Sequence, residues 1–357
     1  MIKVAIIGTN GVPSNYGGFE TLVEQLLANL SEQLDITVFC SSKYCDAKLT
    51  EYKGASLEYI KIDSNGWQSI FYDSTSILKS YKTFDRLLIL GSSGAIVLPF
   101  LHKYKKKFIL NFGGLDWQRN KWNRFAQYYL KFSEKIAVTY CDKIISDNQG
   151  ILDYIYKEYG RKSSLIAYGG DQAVFVKNSQ KNKSYEFEGS DYCVTVARIQ
   201  KDNNIELILK TFVDLKNHRI VVIGNWDKDQ YGIELRAKYD QHANIYLLDA
   251  IYDIDELNYL RSNAKLYIHG HSAGGTNPAL VEAMNLGLPI MAYGSGFNEY
   301  TTFGEAKYFR STIDLDGLLN NIKTSELKDI GIRMKQLADE NYSWHIISEK
   351  YNQLIRL

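Results

Sequence analysis

The chain has 357 residues, of which 45% are hydrophobic and 13% aromatic, with 27 tyrosines. That argues against a disordered chain and suits two domains rather than one core. A net charge of +1 argues against a general nucleic-acid binder. Cys40, Cys45, Cys141 and Cys193 form neither a CxxC pair nor a metal-ligand spacing, which fits a reduced cytoplasmic protein.

The sequence starts MIKVAIIG, leading straight into a strand, and no signal peptide is expected. The run 4–7 reads as a buried parallel strand by length and β-branching. Gly8, Gly11, Gly17 and Gly18 follow, and a helix begins around Phe19 with Leu22, Leu26 and Leu30 at helical spacing. The glycines are too widely spaced for GxGxxG, and no P-loop lysine follows. A dinucleotide fingerprint is therefore disfavoured, while a loop this long suits closure over a sugar or phosphate. Further strands are predicted at 36–40, 86–90, 108–112, 143–146, 164–167, 192–196, 219–223, 245–247, 266–268 and 289–292, with helices between them. This is the doubly wound α/β pattern twice over, with domains 1–170 and 171–343 and a linker near 168–174. No apolar run approaches the roughly 20 residues of a spanning helix. The strongest candidate, 95–101, is far too short.

Residues 267–284, YIHGHSAGGTNPALVEAM, join a strand to a helix through Gly270, Gly274 and Gly275. Pro278 suits the first helical turn, where its missing N–H costs nothing. A helix start offers unpaired N–H groups and a partial positive charge to a phosphate. Glu282, one turn in, is placed to accept hydrogen bonds from neighbouring hydroxyls such as those of a ribose. Phosphate plus diol reads as a nucleotide. The alternative is an ordinary Gly-rich strand-to-helix turn.

Charge is unevenly spread. Residues 1–170 carry 21 Lys/Arg and 16 Asp/Glu, and residues 98–135 alone carry nine basic and two acidic side chains. Lys103, Lys105, Lys106, Lys107, Arg119, Lys121, Arg124, Lys131 and Lys135 alternate with Trp117, Trp122, Phe125, Tyr128, Tyr129 and Phe132. Basic residues beside amphipathic aromatics suit an anionic membrane surface. A solvated basic face over buried aromatics is the alternative. No nucleic-acid module accompanies the patch.

Two of these segments carry a family resemblance. The chain resembles GT-B fold glycosyltransferases of family 4, and among them the bacterial polysaccharide rhamnosyltransferases that begin with a Gly-x-Pro-x-x-Tyr-Gly-Gly-Phe-Glu loop. Gly11, Pro13, Tyr16, Gly17, Gly18, Phe19 and Glu20 match it. The resemblance continues through GGLDWQRNKWNR (113–124), SDNQGI (146–151), AYGGD (167–171), VARIQKDNNIE (196–206), HGHSAGGTNPALVEAM (269–284) and YSWHIISEKY (342–351).

That resemblance implies an α/β GT-B fold: two Rossmann-like, doubly wound parallel-sheet domains facing across a cleft. The first binds the acceptor and the second a nucleotide-sugar donor, with the final helix 344–357 crossing back to the first. It implies donor contacts from Gly17, Gly18, Arg198, Asn203, His271, Gly274, Gly275, Thr276, Asn277, Ala279 and Glu282. Acceptor contacts fall to Tyr16, Phe19, Glu20, Trp117, Arg119 and Trp122. Arg198 is the candidate to stabilise the leaving diphosphate. Relatives follow this Arg, four and five residues on, with Glu and then Lys or Asn; here Asp202 and Asn203 stand there.

Two departures bear on chemistry. Gly274 replaces the first of two glutamates separated by seven residues, Glu282 being the second. That substitution is compatible with a 6-deoxy donor sugar, which has fewer hydroxyls to hold. Gly113 replaces an aspartate of the first domain, which leaves Asp116 and Asp147 as candidate substitutes; Asp147 as a helix N-cap is the alternative. His269 and His271 line the donor loop and read equally as packing histidines.

Family 4 enzymes retain anomeric configuration without a clear protein nucleophile, and none is named here. Asp227/Asp229, Asp253/Asp255 and Asp314/Asp316 match Asp-x-Asp but sit in polar loops, two of them before helices where aspartates cap. No metal and no cofactor are expected. The expected activity is transfer of L-rhamnose from dTDP-L-rhamnose to an undecaprenyl-diphosphate-linked saccharide, at the inner membrane face, in capsule or O-antigen assembly. Transfer of glucose, galactose or an N-acetylhexosamine from a UDP-sugar, and non-catalytic nucleotide-sugar binding, are the alternatives. A glycoside hydrolase is disfavoured because the glutamate pair is broken.

Overall fold

The structure is a computed structural model that describes residues 1–13, 17–44, 49–118, 123–177 and 184–357, apart from the side chain of Asp116. The chain divides into two compact units, Met1–Tyr168 with Trp344–Leu357, and Gly169–Ser343.

In the first unit the apolar run KVAII forms β1 (Lys3–Ile7), and the amphipathic stretch after it forms α1 (Gly18–Leu30). Leu22, Val23, Leu26, Leu27 and Leu30 bury one face of α1. Then come β2 (Asp35–Ser41), the hairpin β3 (Glu51–Tyr52) and β4 (Ala55–Ile60), α2 (Gln68–Ser80) and β5 (Arg86–Leu90). Residues Ala95–Lys107 form a 3-10 segment interrupted at Leu101. The unit continues with β6 (Phe108–Asn111), α3 (Arg124–Tyr140), β7 (Lys143–Ser146), α4 (Gln149–Tyr159) and β8 (Ser164–Leu165).

The sheet order is β3-β4-β2-β1-β5-β6-β7-β8, and every neighbouring pair is parallel except β3 with β4. With the two short edge strands set aside, the order is third, second, first, fourth, fifth, sixth. That is the order of a nucleotide-binding doubly wound sheet. β4 was not anticipated from sequence. Its residues alternate buried and exposed, with Ser56 and Glu58 facing out, so it lacks the continuous apolar signature of the central strands.

In the second unit the elements are β9 (Cys193–Val196), α5 (Ile205–Asp214), β10 (Ile220–Ile223), α6 (Gln230–Tyr239), β11 (Ile245–Leu248), α7 (Ile254–Ser262) and β12 (Leu266–His269). They are followed by α8 (Pro278–Asn285), β13 (Ile290–Tyr293), α9 (Gly296–Thr301), β14 (Lys307–Phe309), α10 (Thr312–Asn321) and α11 (Thr324–Asn341). The sheet runs β11-β10-β9-β12-β13-β14, all parallel, and repeats the same order of precedence. Ile208, Leu209, Phe212, Val222, Trp226, Ile268, Met291 and Phe309 belong to the core on one face of it. β14 is three residues long, below the length at which an apolar run reads as a strand.

The last helix, α12 (Trp344–Arg356), belongs to the first unit and packs on α1. Tyr351 and Ile355 bury its apolar stripe. Asn111 Nδ2 donates to Tyr351 Oη at 2.7 Å, and Asn352 Nδ2 to Gln33 Oε1 at 2.8 Å. Arg86 and Lys143 donate to the carbonyls of Ile355 and Leu354, at 3.0 Å each. Those two bonds satisfy carbonyls of the last helical turn and place cations at its negative end.

Doubly wound sheets bind ligands beyond the carboxyl ends of their strands, where the first and fourth strands diverge. In the first unit that point lies between β1 and β5. In the second it lies between β9 and β12.

Candidate functional site

In the second unit the loops after β9 and β12 are joined directly. The Asp202 carbonyl accepts from Ser272 N at 2.8 Å and from Ser272 Oγ at 2.9 Å. Asn204 Nδ2 donates to the Gly270 carbonyl at 2.8 Å. Asn203 is the centre of the join: its Nδ2 donates to the Arg198 carbonyl at 2.6 Å, and its Oδ1 lies 2.8 Å from His271 Nδ1. Because the amide nitrogen is committed to a carbonyl, Oδ1 faces the ring. His271 Nδ1 is therefore the donor in this contact. So the buried Asn203 and His271, both expected as donor contacts, act as struts that fix the loop carrying Arg198.

Arg198 is half-buried just past β9. Among the described residues its guanidinium has no hydrogen-bond or ion-pair partner. An arginine held by its backbone at a sheet switch point, with its fork unpaired, is available to a bidentate anion.

Gly274 and Gly275 have φ of 66° and 41°, a left-handed conformation strained for other residues. A glutamate at 274 would carry that strain, which gives a backbone reason for the glycine. Among the described residues the amides of these two glycines have no acceptor. The helix start behaves differently from expectation. Asn277 is the N-cap of α8, and its Oδ1 accepts from Ala279 N at 3.0 Å. Pro278 has no N–H, and Leu280 N donates to the Asn277 carbonyl. The Ala279 amide is thus taken, and the free donors lie upstream, on the glycines. Thr276 is buried beside them.

Glu282 lies in the middle of α8. Its Oε2 meets Arg261 Nη2 at 2.5 Å, and its Oε1 accepts from Gln172 Nε2 at 2.7 Å. Neither partner was anticipated, because Arg261 sits in a stretch with no motif and Gln172 falls in the linker. His269 is buried, and burial, with the neighbouring His271 second, pushes its ring down to about 3. It is a neutral packing residue at physiological pH, stacked on Tyr267 at 5.9 Å.

In the first unit the β1–α1 loop is built around Glu20. Glu20 is buried, and its Oε1 accepts from Thr9 Oγ1 at 3.1 Å and from Asn10 N at 2.9 Å. A side chain at Gly17, the N-cap with φ 141°, would sit 1.8 Å from Glu20 Oε2. Glu20 therefore organises the loop rather than presenting its carboxylate outward. Gly18 is exposed at the first helical position. Phe19 lies over β5 and β6: a Cβ on Gly113 (φ 67°) would meet its Cζ at 2.5 Å, and one on Gly91 its Cε2 at 3.6 Å. The ring fills the place that an aspartate at 113 would need. Tyr16, Arg119 and Trp122 lie outside the described residues, as does the side chain of Asp116.

Asp147 is buried beside the α4 N-terminus, but the cap is Asn148, whose Oδ1 accepts from Gly150 N at 2.9 Å. The capping alternative for Asp147 is thereby corrected by one residue. Trp117 packs under the Lys131 ammonium at 4.8 Å. Lys131 also pairs with Glu134 at 3.2 Å and with Glu158 at 3.1 Å. Lys105 and Lys107 donate to main-chain carbonyls. These three lysines are therefore not free members of the basic patch. Lys103, Lys106, Arg124 and Lys135 are exposed, with Phe100 85%, Phe125 87% and Tyr128 76% exposed among them.

The loop after β5, GSSG at 91–94, adds a buried acid that sequence reading passed over; the small-residue run after an apolar strand was its signal. Ser93 Oγ donates to Asp73 Oδ2, and a Cβ on Gly94 would meet Asp73 Cβ at 2.4 Å. Burial pushes the Asp73 carboxyl up from 3.8 to about 7, against the lowering effect of Ser93. The folded protein thus binds this proton more tightly than the unfolded chain. Its contribution to stability is greatest below the unfolded value near 4, falls as pH rises towards 7, and is flat above. We expect Asp73→Asn to remove a slope totalling at most about 4 kcal/mol over that window. Urea melts at pH 4.5, 6 and 8 check this, and equal pH dependence in both proteins would refute it.

Four of the six Asp-x-Asp aspartates have caps or an ion pair to make. Asp229 caps α6, Asp253 caps α7, and Asp314 forms a capping box with Ser311. Asp227 approaches Arg236 at 3.7 Å. Among the described residues no helix is long and apolar enough to cross a membrane.

Parts of the chain are similar to known proteins. Residues 176–310 match the family described as glycosyl transferases group 1, and residues 1–171 match one described as a domain of unknown function, DUF1972. The first of these matches falls within the second unit, and the mixed α/β fold with two parallel sheets is the GT-B fold. The chain is 27% identical over 212 residues to Protein CapJ of Staphylococcus aureus, covering 53% of this chain and 52% of that protein. It thus spans about half the length of this curated relative. In three dimensions it resembles sucrose-phosphate synthase from Thermosynechococcus elongatus, with a TM-score of 0.83, 14% identity, and 100% and 98% of the two chains covered. It also resembles Anabaena HepE, solved with UDP and glucose, with a TM-score of 0.75, 13% identity and 100% of both chains covered.

Proposed function

We propose that the protein is a retaining glycosyltransferase that moves L-rhamnose from dTDP-L-rhamnose onto an undecaprenyl-diphosphate-linked saccharide. The observation that carries this reading is the stitched pair of loops at the β9/β12 switch point, one bearing the unpaired Arg198 fork and the other the free Gly274 and Gly275 amides.

A glycosyl donor breaks its C1–O bond as negative charge develops on the leaving diphosphate. Preorganised donors aimed at that charge lower the barrier. Arg198 supplies a fixed positive charge, and the glycine amides supply dipoles at no reorganisation cost. The acceptor hydroxyl attacks from the face the diphosphate leaves, and the diphosphate oxygen takes its proton. No protein nucleophile is invoked. Gly274 removes a side chain that would hold a sugar hydroxyl, which supports a deoxy sugar. Turnover is proposed to be metal-independent and to persist in EDTA, with Asp229, Asp253 and Asp314 committed to caps and Asp227 to an ion pair.

The acceptor side rests on the β1–α1 loop of the first unit, with Phe19 and Trp117 as its aromatic surfaces. Phe100, Phe125 and Tyr128, exposed beside Lys103, Lys106, Arg124 and Lys135, support contact with an anionic membrane that carries the lipid acceptor. The proposed place is peripheral, at the cytoplasmic face, in capsule or O-antigen assembly; the likeness to CapJ supports a role in surface polysaccharide synthesis. A UDP-hexose donor is the second reading, favoured by the likeness to HepE.

A thermal-shift panel of dTDP, UDP, GDP and their sugars tests the donor, since a ligand that binds only the folded state raises Tm. Selective stabilisation by dTDP species is expected. A response to UDP or GDP species alone would keep the reaction class and remove rhamnose. No response to any of them would favour a non-catalytic role.

A further inference from the structure

Arg261, on the buried face of α7, is 2% exposed. One of its nitrogens pairs with Glu282 at 2.5 Å. The other two, Nε and Nη1, are buried and, among the described residues, have no acceptor. One turn earlier Asn258 is fully buried with neither amide atom paired. Leaving buried donors unmet is destabilising, and a buried ion pair is often no better for stability than an apolar pair of the same volume. Stability therefore does not account for a guanidinium here; the group it touches does.

Glu282 is 14% exposed and is held from two sides, by Arg261 on Oε2 and by Gln172 on Oε1. Those bonds use two of the four lone-pair positions of the carboxylate. The other two remain, with the rotamer fixed. Rotation of Glu282 would strand the buried Arg261 charge, so the carboxylate is held in place. A carboxylate acceptor fixed at a nucleotide site matches a hydroxyl donor, and fixing it beforehand reduces the ordering that binding would otherwise cost.

We propose that Arg261 is a positioning residue that holds the Glu282 carboxylate as the hydrogen-bond acceptor for the pentose hydroxyl of the donor nucleotide, with Gln172 setting its second oxygen. This rests on the reading of the second unit as the donor site. A purely structural Arg261 would leave the recognition of that hydroxyl unchanged.

The test measures the affinity of the full chain for dTDP and for its 3′-deoxy analogue, alongside donor KM and kcat. The wild type is expected to prefer dTDP by about tenfold or more, as a hydrogen bond to a charged group implies. Glu282→Gln should shrink the preference severalfold. Arg261→Met, neutral and of similar length, should bring the ratio close to one and raise donor KM about tenfold with little change in kcat, the pattern of lost uniform binding. Gln172→Leu should give a smaller loss in the same direction. If Glu282→Gln keeps the full preference, the pentose does not lie at Glu282 and the underlying reading falls. If Glu282→Gln loses it while a cooperatively melting Arg261→Met retains it, the reading stands and the role of Arg261 falls. Should Arg261→Met not fold, Arg261→Lys decides. It keeps the charge but removes the planar fork. A reduced preference supports the proposal, and an unchanged one overturns it.

Discussion

Arg198→Ala is expected to lower turnover by about 10²–10³-fold, the range for removing one preorganised donor to a developing anion, while Tm changes little. The reasoning separates the backbone of Arg198 from its side chain. The backbone carbonyl is held by Asn203, which also reaches His271, so the loop geometry does not depend on the guanidinium. The guanidinium has no partner among the described residues, so its removal breaks no internal bond. The loss should therefore appear in kcat and kcat/KM together, as for an interaction strengthened in the transition state. Arg198→Lys should recover only part of it, because a lysine is a point charge and cannot chelate two phosphate oxygens. Steady-state kinetics with the identified donor, beside a thermal melt, make the comparison. Unchanged turnover in Arg198→Ala would remove the diphosphate from this loop.

Gly270→Ala is expected to raise donor KM by about one to two orders of magnitude and to lower stability by roughly 1–3 kcal/mol, as overpacking does. A Cβ at 270 would sit 2.1 Å from the Asn203 carbonyl oxygen and 3.0 Å from Ile208 Cδ1. The first contact is backbone, so the two loops must part. Parting them strains the Asn204–Gly270 and Ser272–Asp202 bonds that join the loop carrying Arg198 to the loop carrying the Gly-Gly turn. Gly317→Ala in α10 is the control: nothing lies within 4 Å of its added Cβ, and near-neutral behaviour is expected. Wild-type donor KM in Gly270→Ala would mean that the close approach of the two loops is not what shapes the site.

Much of the fold is readable in the sequence because its central strands are buried on both faces. Runs such as RLLIL at 86–90 and IVVI at 220–223 need continuous apolar side chains, and that requirement is local. The edges are less legible. β4 carries Glu58 and Ser56 on a solvated face, and β14 is only three residues long. The 95–101 run is apolar yet sits in a 3-10 segment, with Ala95, Leu98 and Leu101 buried and Ile96 and Phe100 exposed.

The glycine loops were legible by residue type, since left-handed backbone at 274 and 275 demands glycine. What the polar side chains in them do was not. Glu20, Asn203 and Asn277 have the chemistry of ligand contacts, but each hydrogen-bonds its own loop.

By itself the sequence determined the fold class and the paired strand–glycine–helix loops. Periodicity, glycine and charge are properties of short stretches of chain. The tertiary structure alone decided which loops meet, because the order of strands in a sheet is set by long-range pairing. The crossing that puts β9 beside β12 brings Asn203 to His271, 68 residues away, and the burial of α7 brings Arg261 to Glu282. Whether a polar side chain faces a ligand or serves as a strut depends on which donors and acceptors lie within about 3 Å of it. That distance is settled only when the sheets have formed.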